Sequence, residues 1–288
     1  MNGLRRLCIV SALAGHVLLS GQTLPEPRKQ FGASVTGAFE GWYDNRDGTQ
    51  GFLVGYYNRN TQEELDIPIG PNNRIEPGGP DMGQPTHFLP SRQFGMFAIP
   101  VPKGFKAEDK LTWTIFANGK YTSIPLRLHS DYVISPFSEI AVNNTPPVIK
   151  FEENGTAMQG PIASLANAAV RTASLSEPLT LTIWVTDDMK YTSGTNAPMT
   201  TKRPPVNLVW SKYRGPGTVT FDKARPALEA QATGSAKAAF SGKATTNVKF
   251  SEAGEYVLHV TANDYSGDGG GGFQCCWTTG LVKVSVKP

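Results

Sequence analysis

The histidines are the first residues to examine for chemistry, because an imidazole beside a carboxylate can act as a general acid or base. The chain of 288 residues has four histidines, and His87 is the one that shares a loop with acidic side chains. Asp81 and Glu76 lie in that loop. A hydrolase that uses His87, with Asp81 or Glu76 as the second group, is therefore one hypothesis for the function.

The sequence lacks the spaced motifs that mark the common active sites. It has no His-Glu-x-x-His metal motif, no Gly-x-Ser-x-Gly nucleophile turn and no phosphate-binding loop. His129 and His259 lie on predicted strands at positions expected to face solvent, and His16 lies close to the N-terminus. We therefore expect a protein without catalytic activity and without a required cofactor.

Four aspartates follow two predicted strands of the C-terminal half. Asp187 and Asp188 come after one strand, and Asp264 and Asp268 come after another. If both strands end at the same pole of a sheet, the carboxylates cluster there and suit Ca²⁺, which takes six to eight oxygen ligands. The alternative is that these aspartates form ordinary turns exposed to solvent.

A segment of twenty-three residues, 70–92, has no regular pattern and contains four Gly and five Pro. Loops of this length are uncommon in compact domains and are often functional. One interpretation is a binding loop that its prolines hold rigid and that presents Asp81, His87 and Arg92. The other is a long connection between strands with its polar residues in water.

Aromatic residues concentrate on a predicted hairpin in the N-terminal half. Trp42, Tyr43, Tyr56 and Tyr57 lie on its two strands, so two rings should face outward if two face inward. Outward rings, here Trp42, Tyr43 or Tyr57, would suit sugar stacking or a protein contact. The alternative is that both faces of the hairpin are buried.

The cysteines do not form a conventional disulfide framework. Cys8 lies in the N-terminal apolar segment, and Cys275 and Cys276 are adjacent. A disulfide between adjacent residues is the prediction for an exported chain. Two free thiols, an intermolecular bridge and a soft-metal site are the alternatives.

Composition and charge exclude several classes of protein. The 14 Phe, 9 Tyr and 5 Trp exclude a disordered chain. The 30 Gly and 22 Pro exclude a coiled coil. The formal net charge is +3, and no run of Lys or Arg exceeds two residues, so the basic patch of a nucleic-acid-binding protein is missing.

Residues 1–21 resemble a secretory signal peptide. Arg5 and Arg6 precede a short apolar run that is too brief to span a bilayer. No later segment approaches a transmembrane length, so we expect a mature chain without a transmembrane segment that is secreted, periplasmic or held at the cell surface. The alternative is a buried N-terminal helix or strand.

The Pro pair in 142–147 divides the remaining chain into two blocks, 22–141 and 148–288. Apolar and polar residues alternate in both, as at Leu111, Trp113 and Ile115, and neither has a sustained helical period. The fold class predicted is all-β, with two consecutive antiparallel β-sandwich domains joined by the linker 142–147.

Three segments of the second block carry a family pattern. Segment 209–221 has a Trp followed by a Gly-Pro-Gly turn, segment 248–264 has Gly-Glu-Tyr before a strand and Thr-Ala-Asn-Asp after it, and 282–286 is the last strand. Together these segments resemble the polycystic-kidney-disease (PKD) type of Ig-like domain. The resemblance implies a sandwich of seven strands, used outside the cell as a spacer, adhesive or binding module. The pattern is interrupted at 189–205 and 225–245.

The function predicted is that of an exported, non-catalytic binding or adhesion protein. The N-terminal sandwich would present the recognition surface, and the PKD-like domain would serve as a spacer or a partner module. Its partner would be an extracellular polysaccharide or a surface protein. A structural protein that associates with itself through sheet edges or the cysteine pair is the first alternative, and the hydrolase is the second.

Overall fold

The computed structural model of the protein describes residues 26–139, 143–190, 204–232, 239–264 and 275–288, so the proposed signal segment lies outside the described residues. The strands of the N-terminal half are β1 (Val35–Asp44), β2 (Gln50–Asn58), β3 (Leu65–Asp66), β4 (Asn73–Glu76), β5 (His87–Phe88), β6 (Ser91–Pro100), β7 (Leu111–Ala117) and β8 (Lys120–Leu126). Those of the C-terminal half are β9 (Val148–Lys150), β10 (Met158–Gln159), β11 (Ala169–Ser174), β12 (Leu179–Asp187), β13 (Asn207–Arg214), β14 (Val219–Phe221), β15 (Glu229–Ala230), β16 (Phe240–Phe250), β17 (Gly254–Asn263) and β18 (Trp277–Lys287). The helical elements described are the short 3₁₀ turns Ser130–Tyr132 and Leu165–Asn167.

The N-terminal half contains two three-stranded antiparallel sheets, β1-β2-β6 and β4-β7-β8. Their core surrounds Trp113, which contacts the rings of Phe88 and Phe97. Gly37 allows β1 to pass over Trp113, since a Cβ there would lie 2.6 Å from the indole ring. The hairpin predicted from Asp47-Gly48 joins β1 to β2, with Gly48 at φ +81°.

The C-terminal half packs one sheet, β10-β9-β12-β16-β14 with β15 beside β16, against a second, β11-β18-β17-β13. Trp210 is buried between Phe151 and Phe221. The Tyr256 hydroxyl donates to the carbonyl oxygen of Glu252 at 2.9 Å and so ties β17 to the turn that precedes it. The predicted antiparallel order fails at β11, which pairs with β18 in parallel.

Both faces of β17 are buried, which corrects the expected exposure of His259. Leu258 and Val260 point into the core of the C-terminal sandwich. Val257 belongs instead to the N-terminal core cluster, together with Tyr213 and other residues of the C-terminal half. His259 is 2% exposed on that same side. The two halves therefore share a continuous apolar core.

The segment predicted as a linker is packed into the structure. Asn144 is fully buried, and its Nδ2 donates to the Oδ2 atom of Asp264 at 2.8 Å. The hydroxyl of Thr278 donates to the carbonyl oxygen of Pro147. The boundary region is thus packed against the C-terminal half.

Candidate functional site

The long loop 70–92 is docked on strand β13 of the C-terminal half. Arg214 forms a bidentate ion pair with Asp81, with Nη1 and Nη2 at 2.9 and 2.8 Å from the carboxylate oxygens. The Tyr213 hydroxyl donates to the carbonyl oxygen of Gly83 at 2.6 Å. The Thr86 amide donates to the carbonyl oxygen of Tyr213 at 3.1 Å. The loop is therefore a clasp between the halves, and Asp81, expected at a binding surface, serves that clasp.

His87 lies in the interior of this clasp, at 8% exposure. Its Nδ1 lies 2.9 Å from Oδ1 of Asp66, and its Nε2 lies 3.2 Å from Oε2 of Glu64. Lys212 of β13 reaches the same Asp66 oxygen at 3.0 Å. Both ring nitrogens are thus occupied by carboxylates that sequence reasoning did not single out.

The acids predicted to assist His87 pair with other residues. Asp81 binds Arg214, which holds the pKa of that carboxyl below its usual value. Glu76 binds Arg74 at 2.8 Å. Neither forms the second group of a His87 dyad in this structure.

Arg92 is an internal structural residue rather than a surface ligand group. Its Nη2 lies 3.0 Å from Oε1 of Glu40, whose side chain is 1% exposed. The amide of Gly95 donates to the same oxygen at 2.8 Å. Burial raises the pKa of Glu40, and Arg92 opposes that rise. The guanidinium also lies over the ring of Phe94.

The hairpin aromatics are largely covered. Tyr43 is 2% exposed, packed edge-to-face on Phe137, so its ring does not form the outward stacking platform expected for it. Trp42 is half-buried, and its indole Nε1 donates to the carbonyl oxygen of His129 at 2.8 Å. Tyr57 is half-buried under the guanidinium of Arg59. Both faces of the hairpin are therefore largely buried, which was the alternative expectation.

A cleft of about 710 Å³ lies where the β1–β2 hairpin meets the C-terminal half. Typical small-molecule sites enclose about 300–1,000 Å³. Its apolar wall consists of Tyr43, Ala98, Ile99, Pro100, Phe137, Val148, Met158 and Ile162. Its polar groups are Asn45, Arg46, Asp47, Thr156, Gln159, Ser164 and Asn167.

Residues from both halves hold the polar groups of this junction cleft in place. Arg46 donates from Nη2 to Oε1 of Gln159 at 2.8 Å, and its guanidinium lies 5.6 Å from the centre of the Phe137 ring. Asp47 accepts hydrogen bonds from the amide and hydroxyl of Thr49, which lower the pKa of its carboxyl. Asn167 accepts from the Ser164 amide at 3.0 Å.

The wall of the junction cleft depends on a close backbone approach at Gly160. This residue has φ +95°, and a Cβ there would lie 2.7 Å from the ring of Phe137. The strap, which is the segment 156–167 that carries Met158 and Gln159, can therefore pass beside Phe137 only with a glycine at this position. The segment around Gly160 shows no alternation or motif, so sequence reasoning did not find this side of the cleft.

Of the four aspartates predicted to bind metal, Asp187, Asp188 and Asp264 lie within the described residues. Asp187 ends β12, and Asp264 follows β17; burial raises the pKa of Asp187 to about 7, with further contributions from the charges of Asp264 and Asp188. Asp268 lies outside the described residues. Across the ranges described, no group of three or more His, Cys, Asp or Glu side chains could hold a metal ion.

Cys275 and Cys276 are joined by a disulfide, and both are buried, at 5% and 0% exposure. The carbonyl oxygen of Cys276 accepts a hydrogen bond from the amide of Asp264 at 3.4 Å. A buried pair of this kind is not available to bridge to a second chain. The disulfide instead lies beside Asp264, the residue that follows β17.

No helix in the described part of the chain is long and apolar enough to cross a membrane. No protein-family pattern matches the chain, and no curated protein matches it.

Solved structures of three proteins are similar over most of the chain. A titin structure (A168169) has 14% identity and a TM-score of 0.23, and covers 88% of this chain and 99% of its own. Domains D00–D0 of intimin have 13% identity and a TM-score of 0.24, covering 88% and 100%. The zebrafish RET cadherin-like domains 1 to 4 have 11% identity and a TM-score of 0.27, covering 82% and 47%. At these TM-scores the similarities carry no argument about function.

Proposed function

We propose that the protein is an exported, non-catalytic module that binds a carbohydrate in the junction cleft. The observation that carries this proposal is the composition of the cleft, which combines an apolar wall that includes the ring of Phe137 with the polar side chains of Asn45, Arg46 and Asn167. Apolar surfaces that pack against the carbon-bound faces of a sugar, beside a few fixed polar groups for its hydroxyls, are what sugar recognition requires.

The polar groups are positioned before any ligand arrives. Arg46 is oriented by Gln159 and by the ring of Phe137, and Asp47 is oriented by Thr49. A site whose groups are already ordered loses less conformational entropy when it binds. Opposite charges on Arg46 and Asp47 leave the hairpin side of the cleft without a net charge, which favours a neutral ligand over a polyanion.

The absence of catalysis is part of the proposal. His87, the candidate base, has both ring nitrogens within 3.2 Å of carboxylate oxygens, so neither nitrogen is free to take a proton from a substrate. We expect polysaccharides to bind without being cleaved. Turnover that disappears in His87→Ala while folding is retained would support the hydrolase instead.

Binding is tested with the full mature chain against a panel of neutral and acidic polysaccharides, followed by titration calorimetry. Arg46→Ala should weaken binding about 5- to 30-fold, because it removes one fixed polar contact worth roughly 1–2 kcal/mol. Arg127→Ala is the matched control, since Arg127 is exposed and does not line the cleft. Equal affinity of both variants for a bound glycan would exclude the cleft as its site.

A further inference from the structure

The larger sheet of the C-terminal half, β10-β9-β12-β16-β14 with β15, has one face on the core and one face toward solvent. On β12, Leu181, Ile183 and Val185 pack into the core. The residues between them point to the other side of the sheet, because side chains alternate along a strand. We use the term solvent face for the outward positions of β9, β12, β14, β15 and β16.

Trp184 lies on the solvent face between two lysines. The strand register places Lys150 of β9 directly opposite it on one side and Lys243 of β16 directly opposite it on the other. The Nζ atom of Lys243 lies 5.5 Å from the centre of the indole ring, and Nζ of Lys150 donates to the carbonyl oxygen of Glu153 at 3.5 Å. Trp184 is half-buried, whereas Trp113, Trp210 and Trp277 are fully enclosed. An aromatic ring is therefore presented to solvent together with two ammonium groups.

The solvent face has an excess of positive charge. Its lysines are the two beside Trp184 and Lys249, which pairs with Thr220 of β14. Among the described residues, Glu229 of β15 is the carboxylate that the register places on this face. Asp222 at the edge of the sheet is followed by Lys223, so these two neighbours add no net charge. A surface with this charge attracts a polyanion.

Polar groups that can bind sugar hydroxyls surround the ring. The next outward pair along β12 and β16 is Thr182 with Thr245, whose hydroxyl oxygens lie 3.4 Å apart. Beyond it, the Thr180 hydroxyl donates to Oδ1 of Asn247 at 2.9 Å. Thr180, Thr245 and Asn247 are all exposed.

We propose that the solvent face binds an acidic polysaccharide. A sugar ring would stack on the indole of Trp184, and acid groups of the polymer would pair with Lys150 and Lys243, whose ammonium groups each carry three donors. Single-stranded nucleic acid fits less well, because its bases stack on several successive aromatic side chains and Trp184 is a single ring. The inference does not depend on the junction cleft, which is proposed to take a neutral ligand.

The test uses the full mature chain with polygalacturonate and with its neutral methyl ester, two polymers that share one backbone. Titration calorimetry should show binding of polygalacturonate and at least about 10-fold weaker binding of the ester, since a tenfold change corresponds to the loss of one or two charged contacts. The affinity for polygalacturonate should fall as salt is added, because attraction between exposed charges is screened.

Variants assign the binding to the solvent face. Trp184→Ala should weaken polygalacturonate binding about 5-fold or more, the scale of one lost aromatic stacking contact. The double variant Lys150→Gln/Lys243→Gln should remove most of the salt dependence. The matched controls are Tyr121→Ala and Lys103→Gln, which alter an exposed ring and an exposed lysine of the N-terminal half and should retain the wild-type affinity.

Three results would overturn the proposal. One is a wild-type chain that does not bind polygalacturonate or binds the ester equally well. Another is unchanged affinity in the double lysine variant or in a folded Trp184→Ala variant. The third is an oligothymidylate that binds as tightly as polygalacturonate, which would show that the face recognises charge alone.

Discussion

The burial of His259 makes the junction between the halves measurable by pH. The imidazole is 2% exposed and stacks on Tyr213, with ring centres 5.8 Å apart and planes at 16°. Its Nε2 has no hydrogen-bond partner among the described residues. Burial lowers the pKa of His259 from 6.5 to about 4, partly offset by a hydrogen bond with the backbone of Met96.

The direction and the size of the pH effect on folding stability follow from that pKa. Between pH 6.5 and about 4 the unfolded chain binds a proton at His259 that the folded chain does not bind. The contribution of His259 to stability is therefore complete above pH 6.5 and is lost as the pH falls. The difference between the two pKa values corresponds to about 3 kcal/mol, at 1.36 kcal/mol for each pKa unit.

The assay is urea unfolding of the wild type and of His259→Phe at several pH values between 7.5 and 4. The variant keeps a ring against Tyr213 but cannot titrate, so its stability relative to the wild type should rise by about 3 kcal/mol as the pH falls. The comparison between variants is necessary because Asp187, with its pKa raised to about 7, changes stability in the opposite direction in the same window.

Parallel loss of stability in the wild type and His259→Phe would refute the reasoning. It would mean that His259 titrates in the folded protein near its ordinary pKa, and that the N-terminal half does not cover β17. His129→Phe is the control, since it makes the same replacement at an exposed histidine outside β17.

Three further substitutions test other parts of the structure, each by chemical denaturation. Trp277→Ala should cost about 3–5 kcal/mol, because Trp277 is fully buried beside Tyr43 at the junction; a loss below 1 kcal/mol would contradict that packing. Arg214→Ala should cost about 2–4 kcal/mol, since it unpairs Asp81 and leaves the Gln84 carbonyl oxygen without its donor; a neutral effect would show that the loop clasp adds no stability. Tyr256→Phe should cost about 1–2 kcal/mol, because it removes the hydrogen bonds of the hydroxyl with Gly217 and Glu252. An unchanged denaturation midpoint would show that these two hydrogen bonds add no stability.

The strands were predictable where one face of a strand is buried. Alternation at Leu111, Trp113 and Ile115 marks β7, and Asp47-Gly48 marks the hairpin turn, because both signals are local. The short strands β4 and β5 inside the loop 70–92 gave no such signal. β4 pairs with β7 and β5 pairs with β3, and the loop between β4 and β5 contacts β13 across more than a hundred residues of sequence.

The roles of individual polar residues were not predictable. Asp81, His87 and Arg92 have the residue types of a binding loop. Each forms an ion pair with a residue distant in sequence: Asp81 with Arg214, His87 with Asp66, and Arg92 with Glu40. His259 alternates along β17 as a surface residue would. Alternation cannot distinguish a face covered by solvent from a face covered by another part of the chain.

The proximity of Asp187 and Asp264 is a prediction that the sequence makes from strand ends alone. Two strands that end at the same pole of a sandwich bring the residues that follow them together, and that rule needs no tertiary detail. The junction cleft could not be foreseen, because its walls come from the β1–β2 hairpin, Phe137 and the strap around Gly160. No spacing along the chain connects those segments.

Hydrogen exchange of the full chain, with and without a bound glycan from the panel, tests the carbohydrate site most directly. We predict slower exchange in two separated segments, the hairpin loop 44–50 and the strap 156–167, because both line the junction cleft. Protection confined to one of these segments, or to the exposed aromatic residues Tyr121 and Tyr132, would contradict the account and move the binding site out of the cleft.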